Sequence, residues 1–248
     1  MKGKEFFIKL KKKVTTAYIA KIALLSAISF VMYMYVKFKL PFMFPSFLEM
    51  QFSELPAILA GFSLGPVAGG LVIVIKCLIK FPLTTTAFVG EITDMILGVL
   101  YVVPASIVYQ IKKTKKNAII GFLIGTATAT VAAILLNRFV SVPFYVKAYF
   151  GGNFELIVKM CSTIYKGATI DTFYYYYLFL GILPFNILRL ALVSAVTFLV
   201  YKRLSKALHW EIKRRKDKKE DTVDNSSDEA IKSEQGEEII EKTVDKTE

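Results

Sequence analysis

The chain has 248 residues, 54% of them hydrophobic, with a mean hydropathy of +0.49. An ordinary soluble domain carries roughly 45–50% apolar residues, so this composition, gathered into runs long enough to cross a bilayer, reads as a polytopic membrane protein. Net charge is +12 but unevenly placed: residues 1–210 hold 23 Lys+Arg against 7 acids, and residues 211–248 hold 9 against 13.

In chain order, residues 1–14 form a basic segment ending in the Lys9–Lys13 cluster. It runs into an apolar span at 15–37, too long for a signal-peptide core and without a small-residue cleavage site. Helix 1 carries Ala20, Ala23 and Ala27 with Ser26 beside them. Such a strip lets another helix lie close, inside the bundle or on a separate membrane subunit. Residues 38–53 (FKLPFMFPSFLEMQFS) read as an outer connection.

The apolar stretch 54–82 is interrupted by Gly65-Pro66. Read as one crossing, it puts the Lys112–Lys116 cluster opposite the basic N-terminus. Read as a hairpin of two short helices, it leaves Lys9–Lys13, Lys112–Lys116 and Lys202–Arg215 all on one side. The expected fold is therefore all-α: an integral membrane six-helix bundle over 15–206 with both termini cytoplasmic. The remaining spans are 86–111, 117–146 and 177–203, and 207–248 is a charged, disordered cytoplasmic tail. Basic clusters beside apolar spans read as cytoplasmic anchors rather than a nucleic-acid surface.

Helical rise of about 1.5 Å per residue fixes the depth of each polar group. Glu91 and Asp94 lie about 8 and 12 Å below the outer end of their helix, on one face. Asn137 and Arg138 fall in the outer third of 117–146, and Asn186 and Arg189 lie about 14 and 18 Å below the outer end of the last span. Lys76 is at mid-depth and Lys80 is near the outer end of its helix. Two readings stand: these charges pair with one another, Arg189 and Lys76 with Asp94 and Glu91, and only hold the bundle together, or they line a pocket open to the outside, with Pro184 loosening the backbone where a ligand approaches. Their concentration at one depth favours the pocket. The connection 147–176 is long and rich in tyrosine and is expected to fold back as a lid. Tyr174–Tyr177 read as an interfacial belt, and Gly121 and Gly125 as a site of close helix packing. Cys77 lies within an apolar span and Cys161 in a polar connection, which argues against a disulfide between them, and with His209 the sole histidine no His/Cys metal site is expected.

Four segments carry a resemblance: FLEMQFSELPAILAGFSLGPVAGGLVIVIKCLIK, GEITDMILGVLYVVPAS, LLNRFVSVPFY and GILPFNILR, in that order. Over about residues 15–205 the chain resembles the substrate-binding S components of energy-coupling factor (ECF) vitamin transporters, most closely the riboflavin-specific (RibU) branch. The resemblance implies a cell-membrane protein that captures riboflavin from outside and delivers it with a transmembrane coupling subunit and two cytoplasmic ATPases, and that needs no cofactor of its own. No GxxxxGK[ST] nucleotide loop occurs in the chain. It also implies substrate contacts from Asn137, Asn186 and Arg189, closure by the Phe47-Leu48 segment, and docking of the coupling subunit on Ala20, Ala23 and Ala27. Glu91 and Asp94 join the candidate substrate site by depth. The family commonly has lysine where this chain has Arg189 and asparagine where it has Asp94, which leaves FMN, another modified flavin or another vitamin as alternatives. Other classes are a membrane enzyme using Glu91 and Asp94 as acid and base, a ligand sensor, and a self-sufficient facilitator.

Overall fold

The computed structural model describes residues 15–45 and 47–200, and those up to Phe198 belong to one compact unit. The basic segment 1–14, the Lys202–Arg215 cluster, His209 and the tail 207–248 lie outside the described residues. The chain runs α1 (Thr16–Tyr35), β1 (Lys37–Lys39), β2 (Glu49–Gln51), α2 (Glu54–Leu64), α3 (Pro66–Lys80), α4 (Val89–Ile111), α5 (Lys115–Tyr149), α6 (Phe154–Ser162) and α7 (Phe173–Val200). Helices α1, α4, α5 and α7, and α3 with the 3-10 turn Phe81–Leu83 that follows it, are long and apolar enough to cross a membrane; α2 is a shorter apolar helix.

Local chemistry sets the boundaries. Thr15 and Thr114 cap α1 and α5, each hydroxyl accepting the backbone N–H three residues on, from Tyr18 and Asn117. The break expected at Gly65-Pro66 falls between α2 and α3. Gly65 has φ +113°, a conformation that costs a side-chain-bearing residue dearly, and Pro66 opens α3 at the position where a missing N–H costs nothing. The two helices then pack closely: a Cβ on Gly69 would lie 2.9 Å from the Ala57 carbonyl oxygen.

Pro104 sits inside α4 and cannot bond the Leu100 carbonyl four residues back. Thr128 on α5 donates its hydroxyl to that oxygen at 2.7 Å. The freed acceptor is thus satisfied across the helix interface. Gly121 and Gly125 allow the approach, since a Cβ on either would come within 2.6 and 2.4 Å of the Ala105 and Tyr101 carbonyl oxygens. The expected packing role of these glycines is what the geometry shows.

Two connections differ from their expected form, and only the first departs from an all-α reading. The connection 38–53 contains a small antiparallel hairpin, Lys37 opposite Gln51 and Lys39 opposite Glu49, whose three-residue strands are too short to leave a readable alternation. The connection 147–176 is largely helical: α5 continues to Tyr149, α6 follows, and α7 begins at Phe173, four residues before the expected start. Buried Ile157, Val158, Cys161, Tyr165 and Phe173 form one apolar cluster with Val142, Val146 and Tyr177. Cys161 is accordingly a buried core residue rather than part of a polar loop, its thiol pushed up to about 12 by burial.

Candidate functional site

Both long helices that carry the candidate asparagines widen before a proline. In α5 a π-helical turn spans Asn137–Ser141, just before Pro143; in α7 one spans Tyr176–Ile182, just before Pro184. A proline ring collides with the carbonyl four residues back in a regular helix. A π turn relieves that collision and re-aims the side chains on it. The Asn137 side-chain amide donates to the Ala133 carbonyl at 2.8 Å, and that of Asn186 to the Ile182 carbonyl at 2.9 Å. The Asn137 oxygen accepts from the Tyr177 hydroxyl at 3.0 Å, while the amide nitrogen of Asn186 is taken up by its own helix and the residue lines the cavity.

A cavity of about 630 Å³ opens beside these turns, at the end of the bundle that carries the β1–β2 hairpin. That volume falls within the 300–1,000 Å³ usual for small-molecule sites. Every residue assigned to the substrate from sequence lines it: Phe47 and Leu48 from the hairpin loop, Glu91 and Asp94 from α4, Asn137 from α5, Asn186 and Arg189 from α7. Phe150, Ile157 and Met160 reach it from the 147–176 connection, which folds over the cavity as expected of a lid. Apolar walls with a few convergent polar groups suit a flat, largely apolar ligand with a polar edge.

At the cavity wall and directly behind it lies a network of six charges, five of them buried and Lys80 half-buried. Lys76 pairs with Asp94 at 3.0 Å, Lys80 with Glu91 at 3.2 Å, and Arg189 with Glu54 at 3.0 Å and Asp94 at 3.5 Å. Lys76 and Lys80, four apart on α3, face Asp94 and Glu91, three apart on antiparallel α4, so helical spacing makes two rungs. Lys76 also donates to the Ser53 hydroxyl at 2.6 Å, and Gln51 donates to Asp94 at 2.6 Å. The Lys76 and Lys80 ammonium groups lie 4.8 and 4.0 Å from the Tyr33 ring centroid, a favourable position over its electron-rich face. Pairing and pocket therefore coexist.

Two sequence expectations change, and one buried acid is added to the site. Glu91 is held by Lys80 and by the hydroxyls of Thr84 and Thr86, not by Arg189 or Lys76. Glu54, which sequence reasoning passed over as a helix start, is fully buried against Arg189; an acid at the head of an apolar helix, FSELP, is the signal that could have found it. Tyr174–Tyr177 are not a uniform belt. Tyr175 is exposed, whereas Tyr177 is buried, lines the cavity, stacks on Phe173 and lies 6.0 Å from the Phe47 ring. The widened turn is what rotates it inward. Elsewhere, Ala20, Ala23 and Ala27 are exposed along α1 while Ser26 and Ser29 beside them are buried.

Comparison with known proteins agrees with this architecture. The family model for the substrate-specific component of ECF transporters matches residues 17–201. Over 187 residues the chain is 33% identical to the riboflavin transporter RibU of Staphylococcus aureus (strain TCH60), covering 75% of this chain and 89% of that one. It is 28% identical over 186 residues to the riboflavin transporter FmnP of Bacillus subtilis (strain 168), covering 74% and 89%. A solved structure described as "Structure and mechanism of the S component of a bacterial ECF transporter" superposes with a TM-score of 0.59 at 31% identity, covering 77% of this chain and 97% of that one. The charge network at this cavity thus sits in a bundle whose sequence and fold both match one family, and the chain belongs to the ECF transporter substrate-specific component family.

Proposed function

We propose that the protein is the riboflavin-binding S component of an ECF transporter and mediates riboflavin uptake across the cell membrane. The observation that carries this reading is the convergence of Asn137, Asn186, Arg189 and the Phe47-Leu48 loop on one cavity, in a chain 33% identical to a protein named as a riboflavin transporter. The isoalloxazine ring would lie against Phe47, Leu48 and Tyr177, with its polar edge on the Asn186 carbonyl oxygen and the remaining Arg189 donors. Departure from lysine at Arg189 substitutes a planar fork of donors for a point charge.

The bundle works as six membrane helices, α1 to α5 and α7, with both termini on the cytoplasmic side and the hairpin end of the cavity facing outward. Positively charged clusters on one side of that arrangement support it. Transport requires a transmembrane coupling subunit and two cytoplasmic ATPases. The coupling subunit docks on Ala20, Ala23 and Ala27, whose exposure leaves a flat strip that a second helix can cover.

Titration of the detergent-purified protein with riboflavin, followed by quenching of flavin fluorescence, tests the ligand. One-to-one saturable binding, weakened more than about tenfold (about 1.4 kcal/mol) by Asn186→Ala and by Arg189→Ala, is expected. Wild-type affinity in both variants overturns the site. Replacing Ala23 or Ala27 by Phe is expected to spare riboflavin binding and abolish ATP-dependent uptake in cells that hold the coupling subunits; undiminished uptake removes α1 as the docking face.

A further inference from the structure

The charges around the cavity's inner end cancel. Three cations, Lys76, Lys80 and Arg189, meet three carboxylates, Glu54, Glu91 and Asp94, and each cation has a carboxylate within 3.2 Å. Glu54 has no exposed surface and does not line the cavity, whereas Arg189 does. One terminal nitrogen of Arg189 faces Glu54, the other faces Asp94, and the buried Nε–H has no partner. A guanidinium offers five donors. Here its charge is neutralised by two carboxylates, Glu54 from behind and Asp94 at the wall, while donor capacity is left over for a ligand.

A group of that kind donates hydrogen bonds to an uncharged ligand without attracting an anion. A phosphate monoester brings a charge of about −1.5 to −2. At this end of the cavity it would meet no unpaired cation and would lie beside Glu91 and Asp94, which also line the wall. At the hairpin, Lys37 and Lys39 are 39% and 50% exposed and already share Glu49, so solvent screens them.

We propose that Glu54 is a specificity-determining residue acting through Arg189: by neutralising the guanidinium it sets the cavity to take an uncharged ligand over its phosphate monoester. This rests on the flavin reading and names which flavin the site selects. The charge around Arg189, and not its contacts alone, then governs the choice.

The test compares riboflavin with FMN by fluorescence titration of the purified full chain. Wild type binds riboflavin at least about tenfold more tightly than FMN. Glu54→Gln keeps the shape and removes one negative charge, so the ratio of the FMN Kd to the riboflavin Kd falls by about threefold or more, whichever way riboflavin affinity itself moves. Glu91→Gln lowers the same ratio by freeing Lys80, and Lys80→Gln raises it. A purely structural role for Glu54 weakens both ligands together and leaves the ratio where it was, which overturns the proposal. If Glu54→Gln yields no folded protein, the opposed responses of Glu91→Gln and Lys80→Gln decide, and a ratio unmoved in both overturns it. FMN bound by wild type as tightly as riboflavin overturns this inference and leaves the flavin reading intact; failure of both ligands to bind overturns the two together.

Discussion

The two ends of the bundle are built from different chemistry. At the hairpin end lie the six paired charges, both π turns, and a turn in which Ala87 and Phe88 hold left-handed backbone at φ +46° and +68° just before Glu91. At the opposite end the helices meet through Gly61, Gly69, Gly121 and Gly125, where added Cβ atoms would fall within 2.0–2.6 Å of a neighbour. Two side-chain amides there serve backbone: Gln110 donates to the Phe62 carbonyl at 2.9 Å and Asn117 to the Val108 carbonyl at 3.2 Å. One end surrounds a cavity with charged and amide groups, and the other is closed by helices in backbone contact. A rigid closed end allows the open end to hold charges at fixed separations, because a ligand site is only as precise as the elements beneath it.

The sharpest way to break this comparison is to strip a charge from the network. Arg189→Ala leaves Glu54 buried with no cation in ion-pair contact and removes one of two cations from Asp94. Breaking a buried pair from one side costs about 3–5 kcal/mol. The variant is therefore expected to lose a large part of its thermal stability in detergent as well as its ligand affinity, and Arg189→Ala combined with Glu54→Leu is expected to recover stability without recovering binding. Equal stability of Arg189→Ala and wild type, measured by thermal unfolding, would mean that the charges at this end are not holding one another.

The closed end is expected to respond in stability alone. Gly125→Val pushes a branched side chain onto the Tyr101 carbonyl, 2.4 Å from the new Cβ. Backbone cannot rotate away as a flexible side chain would, so α4 and α5 must separate, at a cost of about 1–3 kcal/mol. Riboflavin affinity of the folded fraction should stay within about twofold of wild type, as for independent distant sites. A Gly125→Val protein that unfolds normally yet binds poorly would show that the two ends are coupled.

Much of this division was legible in the sequence, and the limits are instructive. Helical periodicity and rise brought Glu91, Asp94, Asn186 and Arg189 to one depth, because depth in a helix depends only on residue count. Gly65-Pro66 announced the break between α2 and α3, because only that pair supplies both a positive φ and a proline-tolerant helix start. Pairing was not legible: whether Glu91 meets Lys80 or Arg189 depends on how α3 and α7 are rotated about α4. The inward turn of Tyr177 depends on a π turn that shifts every later side chain around α7, and neither its length nor its place follows from the proline alone. The hairpin escaped because three-residue strands carry too few alternations to be read.

The smallest expected effect lies at the rim, where the comparison can be refined. Lys37 and Lys39 meet Glu49 at 2.7 and 3.4 Å and hold the two strands from which the Phe47-Leu48 loop hangs over the cavity. Partial burial alone would raise the Glu49 carboxyl, but the Lys37 hydrogen bond and the charges of both lysines outweigh it and hold the group below its usual range. Half-exposed pairs of this kind contribute about 0.2–1 kcal/mol. Lys37→Ala is therefore expected to speed riboflavin dissociation by no more than about fivefold and to leave thermal stability unchanged. The sign with pH comes from the lowered native value. The clasp is fully present above the ordinary carboxylate range and fades as pH falls through the native one, so the difference in dissociation rate between wild type and Lys37→Ala should close on acidification. High salt should close it too. A difference that persists in acid and in salt would place the Lys37 effect in packing of the hairpin, and would make the rim part of the fixed scaffold instead of a screened, reversible clasp over the buried network.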